Sequence, residues 1–148
     1  MTLADLGNLG DFISSIAIII TLVYLTVQIR QGRSVLEENR RIALGQIYAS
    51  RTADRLDDLR QNLSSPQIIE MMAEQDGISK EVALRRQFHL RTISRCDNVL
   101  YQHELGLIGR DDLDRVTTLV LGEYAMWKES GAEIMPRVEE WYRRHADT

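Results

Sequence analysis

Hydrophobic and polar positions divide this chain sharply at Arg30. Between residues 12 and 29 the sequence FISSIAIIITLVYLTVQI carries no charge, and eleven of its side chains are Phe, Ile, Leu or Val. Wound as a helix, the stretch rises about 27 Å, close to the roughly 30 Å hydrocarbon core of a bilayer. At roughly −0.3 to −0.6 kcal/mol each, the eleven apolar side chains contribute on the order of −5 kcal/mol to insertion. Ser14, Ser15, Thr21, Thr26 and Gln28 return part of this, although a hydroxyl that bonds back to the carbonyl one turn earlier is cheap in lipid. The pattern predicts a transmembrane helix over 12–29. Ahead of it, residues 1–11 space Leu3, Leu6 and Leu9 by three, with Gly7 and Gly10 weakening a helix; a short lead-in is expected there.

Two alternatives pass the same hydropathy test. A secretory signal peptide needs a basic start and a small-residue cleavage site, and neither is present around residues 1–30. A buried helix of a water-soluble fold would need a surrounding core larger than the remaining residues promise to build.

Beyond Arg30 the pattern changes to amphipathic helices. No strong breaker falls between Gln31 and Leu63, and Val35, Ile42, Ala49, Leu56 and Leu63 recur every seven residues. The anchor helix is therefore expected to run on well past the membrane. The companion positions Glu38, Gly45, Gln46 and Thr52 make a poor coiled-coil seam, so packing on the chain's own helices is the expectation for this stripe. Ser65-Pro66 starts a short helix that Gly77 closes. Ser79 caps a long one through Leu105, ended by Gly106, with Leu84, Phe88, Thr92, Cys96, Val99 and His103 expected on its core-facing stripe. Asp111 and Asp112 open a fourth helix, in which Leu113, Val116, Val120, Tyr124 and Trp127 step by three and four. Gly131 stops it, and a last short helix is expected from Pro136 with Val138, Trp141 and Tyr142 inward. No strand is predicted. The expected fold is all-α, an N-terminal transmembrane helix continuing into a small helical bundle, with divisions at 1–11, 12–29 and 30–148.

Charge adds orientation. The net charge is −4, and no Lys or Arg precedes residue 30, whereas Arg30, Arg33, Arg40 and Arg41 follow the apolar stretch closely. The positive-inside bias puts the N-terminus outside and the domain in the cytoplasm. A domain close to neutral, without a basic stripe, argues against nucleic acid as partner. Cys96 is the single cysteine, which excludes an internal disulfide. Its helical neighbours Thr92, Val99 and Leu100 suit an inert buried thiol.

Candidate chemistry is sparse. His89, Cys96 and His103 lie at steps of seven on one helix, about 10.5 Å apart along the axis, too far to share a metal. HExxH, CxxC and paired Glu-x-x-His patterns are all missing. Asp97 is the one carboxylate placed near an apolar stripe; an acid–base role competes with pairing to an Arg of a neighbouring helix, for which Arg60, Arg91, Arg95 and Arg115 are the candidates. Catalytic, cofactor and metal residues are accordingly not expected, and the chain is read as a non-enzyme.

Two patches, LVYLTVQIRQGRS at the end of the apolar stretch and DNVLYQHELGLIGRDDLDR with Trp127 beyond it, resemble a widespread group of small uncharacterised bacterial proteins. Members leave the membrane through a Tyr-Leu-x-x-Gln-Ile-Arg-Gln segment and continue as a helical cytoplasmic domain; where they usually carry Asn-Thr, this chain has Gly32 and Arg33. The resemblance implies a bacterial inner membrane and supplies no catalytic residue. Sixteen Arg against two Lys fits a GC-rich genome.

The functional expectation is a membrane-anchored interaction protein, either an accessory subunit of an inner-membrane assembly or a self-associating scaffold. The alternative is a regulatory element coupling the membrane helix to the domain. Its partners are then the lipid bilayer and other membrane subunits or itself. Ser14, Ala17 and Thr21 lie along one side of the membrane helix, and small residues at such spacing let a second helix approach closely. Val35 and Ile42 continue that expected interface beyond the membrane.

Overall fold

A computed structural model describes the backbone of residues 3–146 and the side chains of residues 12–146. It contains five helices in chain order: α1 (Leu3–Ser64), α2 (Pro66–Asp76), α3 (Lys80–Glu104), α4 (Arg110–Glu129) and α5 (Pro136–His145). Among the described residues there is no strand. The chain divides into two units, Met1–Arg40 and Arg41–Thr148.

In the first unit, α1 begins at Leu3, so Gly7 and Gly10 do not interrupt it and the lead-in is part of the same helix. The Leu3, Leu6 and Leu9 side chains lie outside the described residues. From Phe12 to Ile29 every large apolar side chain is exposed, by 41% to 64%. One helix among the described residues is long and apolar enough to cross a membrane; its most apolar window has a mean hydropathy of 2.2 and buries none of its residues. Several of its polar side chains are satisfied locally. Thr21 and Thr26 donate to the carbonyls of Ala17 and Leu22 at 2.8 Å, and Gln28 Nε2 donates to the Tyr24 hydroxyl at 2.9 Å.

The second unit is a bundle formed by the end of α1 with α2 to α5. Its core gathers Ile93, Cys96 and Leu100 of α3, Val120, Tyr124 and Trp127 of α4, Ala132, and Val138 of α5. The α4 residues in that set follow from the three- and four-residue steps that put them on one helix face. Tyr124 and Tyr142 stack at 3.7 Å between ring centroids, and the buried Trp127 indole finds its acceptor in Glu123 at 3.1 Å. A smaller cluster of Ile69, Ala73 and Ala83 seats α2 on α3.

Helix ends match their signals closely. Pro66 occupies the first turn of α2 and Gly77 ends it at φ 64°, where a residue with a Cβ would be strained. Ser79 accepts from the Val82 amide at 3.3 Å, capping α3. Ser65 stands at the N-cap of α2 in an extended conformation, and its side chain bonds Gln67 rather than a helix amide.

Two packing expectations are corrected. Leu84 and Phe88, expected in the core stripe of α3, are 45% and 57% exposed. Of the expected stripe Cys96 is buried, together with Ile93, Asp97 and Leu100 beside it, while the 84–88 edge stays open to solvent. The seven-residue stripe of α1 packs on the chain's own helices only in its later part. Leu56 and Leu63 are half-buried and Leu59 is buried, whereas Val35 and Ile42 stay 60% and 39% exposed.

Candidate functional site

Three places in the bundle collect polar or apolar groups densely enough to be examined for function. The first lies where α1, α3 and α5 meet. Gly45 and Tyr48, one turn apart on α1, face Asp97, Tyr101 and Gln102 on α3. Gly45 is buried, and a Cβ there would overlap Leu107 Cδ1 and sit 2.9 Å from Gln102 Oε1. That bare backbone lets Gln102 Nε2 reach the Gly45 carbonyl at 2.9 Å. Tyr48 then lies against Tyr101, with ring centroids 4.2 Å apart.

Asp97 is 3% exposed, and both of its oxygens are engaged. The Tyr48 hydroxyl donates to Oδ2, and Arg137 Nη1 donates to Oδ1 at 2.9 Å. Arg137 also donates from Nη1 to the Tyr48 oxygen at 3.2 Å and from Nε to Glu104 at 3.1 Å. Its guanidinium lies 4.8 Å from the Tyr101 ring centroid and 5.5 Å from that of Tyr48, a cation–π arrangement with both. Burial raises the Tyr48 hydroxyl above its ordinary value, as do the hydrogen bond and charge of Asp97, with Arg137 pulling the other way. Burial works against the Arg137 charge, but Tyr48, Asp97 and Glu104 outweigh it and hold the guanidinium above its ordinary value. The pairing expected for Asp97 is found; the partner is corrected. Arg60, Arg91, Arg95 and Arg115 do not supply it, and Arg137 of α5 does. The adjoining hollow of about 120 Å³ has room for only a few waters. This arrangement joins helices, and both oxygens of its buried carboxylate, Asp97, are taken up in doing so.

The second place is a cavity of about 550 Å³ between α3 and α4, lined by Val82, Arg85, His89, Met126, Glu129 and Ser130. It contains a Ser–His pair, with His89 Nδ1 2.8 Å from Ser130 Oγ. Nucleophilic activation requires the hydroxyl to donate to the imidazole. Here the single hydroxyl hydrogen goes to the Trp127 carbonyl at 2.8 Å, so Nδ1 carries the proton and donates to Oγ. Burial, helped by Arg85 and opposed by Glu123, lowers the His89 pKa and favours the neutral ring. The pair therefore closes the end of α4, and Arg86 reinforces it by donating to the Ser130 carbonyl at 3.3 Å and to Asp76 at 2.5 Å.

The third is an apolar groove along the first turns of α3. Two adjoining cavities of about 400 and 360 Å³ share Leu63, Glu81 and Leu84, with Pro66 and Ile69 at one end and Phe88 at the other.

The histidines do not converge: His89 faces Ser130, and His103 lies edge-on to Trp141 at 6.1 Å. Among the described residues no three His, Cys, Asp or Glu side chains gather as a metal would need. Cys96 is buried, and burial with the charges of Glu123 and Asp97 pushes its thiol up to about 12. Ser14, Ala17 and Thr21 are exposed on the apolar helix. Sequence reasoning missed the Gly45–Tyr48 contact with α3, and it missed Arg137, whose only sequence signal was a charge one position past Pro136. No protein-family model matches the chain, and no curated protein or solved structure matches it significantly.

Proposed function

We propose that this chain is a single-pass membrane protein of the bacterial inner membrane, with its N-terminus outside and its helical domain in the cytoplasm, acting as a non-enzymatic interaction protein. It serves as an accessory subunit of a membrane assembly or as a self-associating scaffold. The observation that carries the reading is the uninterrupted exposure of the apolar side chains from Phe12 to Ile29 on a helix whose Thr21, Thr26 and Gln28 side chains are satisfied within it. Such a surface is costly in water and at home in lipid. Absence of basic residues before Arg30 supports the orientation. The use of Asp97 and Arg137, and of Ser130 with His89 and Arg86, in helix-to-helix ties supports a role other than catalysis.

Partner contact is proposed for the Ser14, Ala17 and Thr21 side of α1 and for Val35 and Ile42, whose side chains are exposed. One observation favours the regulatory alternative. The helix that carries the apolar stretch also carries Gly45 and Tyr48, which are held by α3 and α5.

Extraction decides the anchor. The full chain should stay with membranes through high-salt and alkaline washes, because hydrocarbon burial does not depend on charge screening; recovery in the soluble fraction would sink the membrane reading. Replacing Ser14, Ala17 and Thr21 together by Leu should preserve membrane retention and disrupt the native assembly. Unchanged migration and co-purification of that variant would make this side merely lipid-facing.

A further inference from the structure

Where α1 leaves its apolar stretch, the side chains mark the level of a headgroup layer. Gln28 donates to the Tyr24 hydroxyl at 2.9 Å, and both residues are exposed. An aromatic body with a polar tip is the kind of group that sits at a membrane–water boundary. Arg30 follows about 3 Å beyond Gln28 along the axis, and Arg33 about 4.5 Å beyond Arg30 on the same side of the helix. The headgroup layer of one leaflet is about 5–8 Å deep, so both arginines fall within it. Each Cα–Cβ bond of a helix tilts toward the N-terminus, which leans the two side chains back toward the lipid. Charge in this layer has one sign. Arg30 and Arg33 are exposed and enter none of the ion pairs among the described residues. The first acidic side chain after them, Glu37, comes about 6 Å past Arg33 along the axis.

We infer that Arg30 and Arg33 form a binding site for the headgroup of an anionic phospholipid, with their guanidinium groups on its phosphate. This rests on the membrane placement proposed above and names the lipid that this end of α1 selects. A guanidinium offers paired N–H donors that match two phosphate oxygens. Every phospholipid carries a phosphate, but a zwitterionic headgroup adds an ammonium that two arginines repel, whereas an anionic headgroup adds none. Arg40 is exposed and bears the same charge, yet it lies about 10.5 Å beyond Arg33, outside the layer, and so serves as a control.

The test reconstitutes the full chain into phosphatidylcholine vesicles that carry a trace of spin-labelled phosphatidylglycerol or, in parallel, spin-labelled phosphatidylcholine. Electron paramagnetic resonance then gives the fraction of each lipid whose motion the protein restricts. The parent chain should prefer phosphatidylglycerol by roughly 30-fold, the scale for two arginines at a lipid surface. Arg30→Gln combined with Arg33→Gln should lose most of that preference, and Arg40→Gln should keep it. Salt at 1 M, where the Debye length shrinks to about 3 Å, should weaken it in the parent. A chain that fails to float with the vesicles removes the membrane reading and this inference with it. A chain that floats but restricts both lipids equally, or a double variant that keeps the preference, overturns the inference alone. Displacement of the labelled phosphatidylglycerol by millimolar glycerol phosphate would assign the arginines to a soluble anion and overturn it as well.

Discussion

The Tyr48 hydroxyl donates its hydrogen bond to the Asp97 carboxylate across 49 residues of chain, and Arg137 closes the pair from a third helix. Each of the three side chains thus satisfies a group that another buries. Removing one member strands the rest, and the cost depends on whether a charge or a neutral group is left alone.

Tyr48→Phe should destabilise the domain by about 1–3 kcal/mol, the cost of withdrawing one donor from a buried acceptor. Arg137→Gln should cost more, about 3–5 kcal/mol, because it leaves the Asp97 charge buried and unpaired. Denaturant unfolding of both variants, followed by circular dichroism, checks the order. Equal and negligible losses would show that Asp97 is solvated after all.

At Gly45 the outcome should depend on size. Ala gains up to about 1 kcal/mol of helix propensity, and the atoms it meets, Leu107 Cδ1 and Gln102 Oε1, are the movable ends of side chains. Gly45→Ala is therefore expected to be close to neutral, whereas Gly45→Leu should lose about 1–3 kcal/mol through overpacking. Leu107→Ala should recover part of the Gly45→Leu loss. A strictly additive double mutant would argue that the two residues do not meet.

Stability should fall on mild acidification through His89. Its pKa is lowered in the folded state, chiefly by burial. The unfolded chain therefore binds the proton more readily, and unfolding gains as pH drops below the ordinary histidine value of about 6.5. The contribution of the neutral ring is fully present above that value and is lost as pH falls toward the depressed one. Stability curves measured between pH 5 and 7 should flatten in His89→Gln; an undiminished slope would assign it to other groups.

Cys96 should serve as a reporter of unfolding. With its thiol pushed up to about 12 and its side chain buried, it should resist maleimides at pH 8 in the folded protein and label rapidly in urea. The same inertness makes Thr118→Cys a clean topology probe. In intact cells it should escape impermeant reagents and react after lysis; labelling before lysis would reverse the proposed orientation.

Much of this architecture was legible in the sequence, because helix boundaries are set locally. Pro66, Gly77, Ser79, Gly106 and Gly131 act through their own dihedrals or caps, and the α4 stripe through steps of three and four. Burial on α3 was less legible. Leu84 and Phe88 share the period of the core stripe, and whether a periodic face is covered depends on where α4 lies, which residues 80–104 do not encode by themselves. For Asp97 the chemistry demanded a cation, yet several arginines met the demand equally well. Choosing Arg137 required the placement of α5 beside α1 and α3. Gly45 stood out only as a poor seam position, because its value lies in the side chains that approach it.

The span of the Tyr48–Asp97–Arg137 junction also sets an order of events during synthesis. Arg137 follows Tyr48 by 89 residues, so at roughly 5–20 residues per second it leaves the ribosome roughly 4–18 s later. By then the apolar stretch of α1 has long left the ribosome, and α3 has brought Asp97 out without its cation. The end of α1 therefore waits, tethered but unclasped, until the final helix arrives to fasten it.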